Sequence, residues 1–277
     1  MDKPLVSVII PVRDRADLIK NCLEKIKKQT YQNVEIIVVD GNSLDNSAAV
    51  AKEYTDKVFV FDKKGDYRCA QRNLGAEKAS GKYVLIIDSD MELSEKVLEA
   101  CVRKMASGEN VKGVIIPEES FGLGFWAKCK KLEKSFYVGV DWMEAARFFR
   151  RDDFLKAGGY DESMVSGEDW DLSQRMGDLG KIERVNDFLF HNEGKINLWQ
   201  TVKNKYYYAG EFAKYINKNK NKANAGKQTG ILNRYKLFFN NPKKLFRQPL
   251  VGLGLLFMKT CEFGAGAFAF ALIILKK

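Results

Sequence analysis

Within residues 1–106, short apolar runs alternate with segments whose apolar residues recur at helical spacing. Leu5–Pro11 reads LVSVIIP, Val34–Asp40 reads VEIIVVD, Lys57–Phe61 is a third run, and Lys82–Asp88 reads KYVLIID. Runs with so little polar alternation belong to parallel strands buried on both faces of a sheet. Between them, residues 14–29 place Leu18, Ile19, Cys22, Leu23 and Ile26 on one helical face. Ala48–Tyr54, Arg68–Ala79 and residues 94–106 read as the other helices, with cap chemistry in GNSLDNS ahead of the first. Strand and helix in turn predict a doubly wound α/β sheet.

That order also predicts where a ligand goes. In open parallel sheets ligands lie outside the carboxyl ends of the strands, near the point where strand order reverses. Pro11 to Asp14, Asp40 to Ser43 and Asp88 to Asp90 all fall at such ends. Beyond residue 110 the pattern loosens. Val111–Ile116 and Glu144–Phe149 are expected strands, and 121–136, Asp169–Leu179 and Leu198–Ile216 expected helices.

The net charge of +10, from 46 basic and 36 acidic residues, is not spread evenly. Residues 214–247 hold ten Lys/Arg and no acid, whereas 1–213 hold 33 basic and 35 acidic residues, a net of −2. The excess is one block, followed by an apolar tail. The five cysteines are odd in number and form no CxxC pair, so neither a disulfide framework nor a zinc site is expected. A reduced, cytosol-facing setting follows. No cationic start precedes the first apolar run, so no signal peptide is expected.

Four groups of residues can carry chemistry. Asp88-Ser89-Asp90 sets two carboxylates one residue apart at a strand end, where both can reach one hard divalent cation; turn aspartates serve there too. Gly167-Glu168-Asp169-Trp170-Asp171 precedes a helix, where an acid either caps the first turn or stands as a general base. His191, the one histidine, is either a structural hydrogen bonder or a neutral metal ligand. Arg72, early in its helix, is either a surface residue or a paired donor to a diphosphate.

Taken together, VSVIIPVRDR (6–15), IIVVDGNSLDNS (36–47), QRNLGAEKASGKYVLIIDSD (71–90), RRDDFLKAGGYDESMVSGEDWDLSQRM (150–176) and His191 resemble the family 2 glycosyltransferases. The match covers roughly residues 5–193 and implies the GT-A fold, a Rossmann-like, mostly parallel sheet flanked by helices. It implies a nucleotide-diphospho-sugar donor, UDP favoured over GDP, and a Mn2+ or Mg2+ ion. By resemblance, Pro11, Arg13 and Asp14 would line the nucleoside pocket, with Asp40 near the base and Gly41 and Asn42 continuing that wall. Arg72 and Ser89 would lie by the nucleotide-sugar, and Asp88 by the ribose or the metal. Asp90 would be the metal ligand with His191 its second, and Asp169, in the Glu168-Asp169 pair, the catalytic base of an inverting transfer. Many relatives carry an acidic or amide residue after the Pro-x-x-Asn/Asp start, whereas this chain reads Val12-Arg13-Asp14-Arg15. The extra Arg either favours a more negative donor or faces solvent, the second being preferred.

The tail runs LVGLGLLFM (250–258) and FGAGAFAFALIIL (263–275), interrupted by Lys259 and Glu262. Three apart, these two can pair on a helix and soften their insertion cost. One tilted span, a re-entrant pair of short helices, an interfacial anchor and a core helix all fit that pattern. With the basic block ahead of it, the tail predicts a membrane surface as partner through residues 214–275. The expected division is a catalytic domain at 1–197 facing the cytoplasm, a basic helical linker at 198–248 and a membrane-associating segment at 249–277. A membrane-held, lipid-linked acceptor follows, a polyprenyl phosphate being the alternative. The block's Tyr215, Tyr235, Phe238 and Phe239 would suit a nucleic-acid binder, or an interaction module on an inactive domain, but neither explains the aspartate loops. No nucleic acid is expected as a partner. GxGxxG is absent after the first run, against a dinucleotide oxidoreductase.

Overall fold

The computed structural model describes residues 3–63, 67–108 and 110–275. The chain divides into two compact units, Met1–Pro117 with Ala145–His191, and Glu118–Glu144 with Asn192–Lys277.

The first unit opens with β1 (Val6–Val12), α1 (Ala16–Lys27), β2 (Val34–Asp40), α2 (Ser47–Lys52) and β3 (Val58–Val60). It continues with α3 (Arg68–Lys78), β4 (Tyr83–Ile86), β5 (Met91–Leu93), α4 (Val97–Ala106) and β6 (Val111–Ile115). The next two elements, β7 (Glu118–Leu123) and α5 (Phe125–Ser135), belong to the second unit. The chain returns to the first through β8 (Ala146–Arg150), α6 (Arg151–Lys156), α7 (Glu168–Leu179) and β9 (Lys181–Arg184).

Seven strands form one sheet in the order β3-β2-β1-β4-β8-β6-β9. β1 pairs in parallel with β2 and β4, as its apolar run requires, and Ile9 faces both Ile37 and Ile86 across the ladders. Strand order therefore runs outward from β1 to β3 and then restarts at β4, which makes the carboxyl ends of β1 and β4 the switch point. The parallel pattern does not continue: β8 is antiparallel to both β4 and β6. Val8 and Ile10 point into one core layer and Ile9 into the other, all fully buried.

Helix α3 lies tight against β1. A Cβ on Gly75 would stand 2.3 Å from Ile9 Cγ2, so only glycine allows that approach. At the opposite end of β2, Glu35 accepts from Ser80 N and Ser80 Oγ (2.6 and 2.7 Å), from Ser7 Oγ and from Lys57 Nζ. Burial works against the Glu35 charge, but the bonds from Lys57, Ser7 and Ser80 prevail and lower its pKa from 4.5 to about 2. A carboxyl depressed on folding stabilises the fold above its unfolded value and loses that contribution as pH falls through its folded one. The denaturant midpoint should therefore drop between pH 4.5 and about 2. The drop should be shallower in Glu35→Gln, and equal slopes for the two chains would contradict the assignment.

β10 (Leu189–Lys195) starts in the first unit, where Leu189, Phe190 and His191 pair antiparallel with β5. Its remainder lies in the second unit beside β7, a strand not expected from sequence. That unit also holds α8 (Leu198–Asn219), α9 (Ala223–Thr229), α10 (Ile231–Phe239), α11 (Pro242–Leu245) and α12 (Pro249–Leu275). The basic block is thus the end of α8 and three short helices. The tail is one unbroken helix of 27 residues, not two short ones, and Lys259 does pair with Glu262 within it. By length and composition, Pro249–Leu272 is long and apolar enough to cross a membrane.

Candidate active site

Three consecutive residues of α3 make the site, each turned to a different neighbour by the helical step of about 100°. Gln71 donates to Val39 O (3.0 Å), at the end of β2. Asn73 clamps Tyr160, donating to its carbonyl (2.9 Å) and accepting from its N–H (2.8 Å). Between them Arg72, 1% exposed, reaches three carboxylates. Its Nη2 donates to Asp88 Oδ1 (2.7 Å), and its Nη1 lies 3.1 Å from Glu168 Oε1 and 3.4 Å from Asp169 Oδ1. The Tyr160 ring faces the guanidinium at 5.0 Å.

The acids arrive from separate places. Asp88 and Asp90 follow β4, in the turn closed by Met91 N to Asp88 O (3.0 Å). Glu168 and Asp169 open α7, whose start is set by Gly167 at φ +82°, a left-handed position that suits glycine. Asp171, the third acid of that run, is taken up by Arg175 Nε (2.8 Å). Arg175 in turn holds the carbonyls of Ala157 and Gly159, so Asp171 positions the start of α7.

Sequence reasoning missed Arg147 of β8. Its Nη1 lies 4.0 Å from Asp88 Oδ2, and its Nη2 lies 3.7 Å from Asp169 Oδ2. The signal was present: a cation inside the apolar stretch Ala146-Arg147-Phe148-Phe149 requires a charged partner. Burial works against ionisation of Asp88, yet Arg72 and then Arg147 hold it well below the usual carboxylate range. Burial, and then the Asp169 charge, push Glu168 up. Arg72 itself stays a fixed cation, because Asp88, Asp169 and Glu168 outweigh its burial.

Breaking a buried ion pair by removing one partner costs about 3–5 kcal/mol, because the other is left uncompensated. Arg72→Met leaves three carboxylates in that position. It should lower the unfolding free energy by about that amount in urea denaturation, with Arg72→Lys recovering part of it. A loss under about 1 kcal/mol would contradict the network's structural role.

His191 stands opposite Met91 in the β5–β10 ladder, which brings its Nε2 to 3.5 Å from Asp90 Oδ2. Asp90 Oδ1 is buried and has no hydrogen-bond partner among the described residues. A buried carboxylate oxygen left in this way fits a cation ligand. Among the described residues no group of three or more His, Cys, Asp or Glu could hold a metal ion. One carboxylate and one imidazole still suit Mg2+ or Mn2+, which keep several ligands from water and substrate phosphates.

The remaining expected residues line the ends of β1 and β2. Pro11 is buried in β1, and Val12 pairs with Asp40, after which Gly41 N donates to Val12 O (2.8 Å). Buried Asp40 accepts from both the N–H and the hydroxyl of Ser43. Ser43 Oγ also accepts from Asp14 N (2.9 Å), and Asp14 Oδ1 accepts from Leu44 N (2.7 Å). Ser43 thus stitches the two loops together, a role not foreseen from sequence. Asp14 and Asn42 both hold positive φ, 52° and 58°, a conformation Asp and Asn tolerate best among non-glycine residues. Asn42 Nδ2 donates to Asp62 (2.9 Å). Arg13 and Arg15 are exposed, with Arg13 Nε 3.8 Å from Asp14 Oδ2. Ser89 is buried.

Known proteins resemble this chain in sequence and in fold. The glycosyltransferase GlyG of Streptococcus pneumoniae is 35% identical over 105 residues, 36% of this chain and 35% of that protein. The putative glycosyltransferase EpsH of Bacillus subtilis is 34% identical over 106 residues, 37% of this chain and 31% of that protein. These alignments thus span about a third of either relative. Among solved structures, a mannosyltransferase of Pyrobaculum calidifontis in complex with GDP-Man and Mn2+ superposes with a TM-score of 0.62 at 17% identity. It covers 98% of this chain and 88% of that one. TarS 1-349 of S. aureus superposes with a TM-score of 0.55 at 15% identity, covering 99% and 92%. The fold is therefore the GT-A fold of these structures. The family model described as glycosyl transferase family 2 matches residues 7–162, more than half of the chain. The GT-A fold and that match together place the chain in glycosyl transferase family 2.

Proposed function

We propose that the chain is an inverting, metal-dependent glycosyltransferase. It moves a sugar from a nucleotide-diphospho-sugar, UDP favoured over GDP, to a membrane-held, lipid-linked acceptor. The observation that carries this reading is the gathering of Asp88, Asp90, Glu168, Asp169 and His191 with Arg72 and Arg147 beside the β1–β4 switch point. The donor class is supported by the neighbours: the mannosyltransferase is a complex with GDP-Man and Mn2+, and TarS has been solved with UDP and with UDP-GlcNAc.

Pro11, Arg13, Asp14, Asp40, Gly41 and Asn42 form the nucleoside wall in this reading, with Ser43 fixing its shape. Ser89 adjoins the nucleotide-sugar, and Asp88 lies by the ribose or the metal. Asp90 and His191 would hold a divalent cation, which, when bound, offsets the charge growing on the departing diphosphate. Asp169 takes the proton of the acceptor hydroxyl as its oxygen attacks the anomeric carbon from the face opposite the leaving group. The new glycosidic C–O bond forms, and the electron pair of the broken bond leaves on the nucleoside diphosphate. Arg72 and Arg147 flank the two oxygens of Asp169 and orient it for that step.

The membrane-held acceptor is supported by α12 and the basic residues before it. The cysteine pattern supports a cytoplasm-facing catalytic unit. Thermal-shift measurements with UDP-, GDP- and dTDP-sugars, each with and without Mn2+ or Mg2+, test the donor reading. One nucleotide should raise the melting temperature, and more so with the cation. No shift with any of them would contradict the assignment.

A further inference from the structure

The apolar helix α12 suits a membrane crossing by composition, but its neighbours within the second unit do not. Lys259, at its middle, is buried and paired with Glu133 of α5 at 2.9 Å as well as with Glu262. Lys130 pairs with the same Glu133 at 3.1 Å, and Tyr137 Oη donates to it at 2.7 Å. Burial works against the Glu133 charge, but Lys130 and Lys259 outweigh it and hold that carboxyl well below its ordinary range. Helix α5 carries Lys128, Lys130, Lys131 and Lys134 within 11 residues. Helix α8, also packed along α12, carries Lys203, Lys205, Glu211 and Lys214. A charged side chain at the bilayer centre is costly, and such groups are rare there. Crossing would draw these helices into the hydrocarbon or tear Lys259 from its partners.

Over its first turns, what α12 leaves open is one stripe, and Phe268 and Phe270 are exposed further along the helix. Leu250, Leu253 and Phe257 are 76%, 56% and 57% exposed and recur at helical spacing. Phe125 is half-exposed beside them: a Cβ on Gly254 would stand 2.5 Å from its ring, and its neighbour Trp126 stacks on Phe257 at 6.3 Å. Exposed Phe246 flanks Gly252 at the helix start. Exposed Lys243 and Arg247 stand just before it, at the end of a block with ten cations and no acid.

We propose that this face of the second unit docks on an anionic lipid bilayer with α12 lying in the plane of the interface, not across it. Apolar side chains that enter the headgroup boundary, ringed by cations, are the chemistry of an interfacial anchor on anionic lipid. This rests on the membrane-held reading above and specifies its geometry: the catalytic unit and the end of α12 lie on the same side of the bilayer.

Two experiments on the full chain test it. The first is sedimentation with vesicles of phosphatidylglycerol and phosphatidylcholine, against vesicles of phosphatidylcholine alone. Binding should require the anionic lipid and weaken with salt. Leu253→Asp with Phe257→Asp should weaken binding about tenfold or more while leaving donor-induced thermal shifts unchanged. The second places epitopes at both ends of the expressed chain and probes them in spheroplasts and in inverted membrane vesicles. Accessibility of both epitopes from the same side supports the in-plane helix. Epitopes on opposite sides overturn it and leave the membrane-held acceptor standing. No vesicle binding, with self-association through the same stripe, overturns the lipid surface altogether.

Discussion

Asp90→Ala is expected to lower sugar transfer about a thousandfold or more and to abolish the cation-dependent part of the donor thermal shift. The size follows from what the side chain holds. Asp90 Oδ1 is buried with no hydrogen-bond partner among the described residues, and Oδ2 faces His191 at 3.5 Å. A carboxylate in that position is unfavourable to folding, because its desolvation is offset only in part. Removing it should therefore leave stability within about 1 kcal/mol of the parent chain, or raise it. Lost transfer with stability kept separates Asp90 from Arg72, where the expected loss is in folding. Transfer by Asp90→Ala within about tenfold of the parent, with its cation dependence unaltered, would remove Asp90 from the site.

The first half of the site was legible because its signals are local. Strands buried on both faces are contiguous apolar runs, and the residues just past their ends are where the sheet leaves polar loops. Asp40, Asp88 and Asp90 could be placed by that rule, and Glu168 and Asp169 by the helix that starts beside them. The direction of the later strands was not legible. β8 reads as a strand like β4, but its antiparallel sense depends on how the chain leaves through β7 and α5 and returns. β7 itself, EESFGL, has neither a clear alternation nor an apolar run to announce it.

Partners distant in sequence were the other loss. Arg72 could be read as a donor near the strand ends, but its three carboxylates come from two other segments. They meet it only because Gly75 lets α3 close on β1. Arg147 was hidden inside a strand reading. In the tail, the spacing of Lys259 and Glu262 showed that they could pair, because helical geometry is local. Glu133, on a helix far earlier in the chain, was not visible from that spacing, and it is what separates an in-plane helix from a crossing one. The +10 charge followed the same division. Its position beside the apolar tail was readable, whereas its break into α9, α10 and α11 was not.

The central claim is that Asp169 receives the acceptor proton while Arg72 and Arg147 orient it. A positioned general base contributes about 10²–10⁴ in rate, so Asp169→Asn should lose transfer by that factor. The amide keeps the size and one acceptor oxygen of the side chain, so the start of α7 should hold its shape. The most direct measurement runs both halves on one sample, donor affinity by titration and transfer by single-turnover product formation. The account predicts donor affinity within about threefold of the parent and transfer reduced at least about a hundredfold. Donor affinity kept together with undiminished transfer would show that another group, or none, takes the proton.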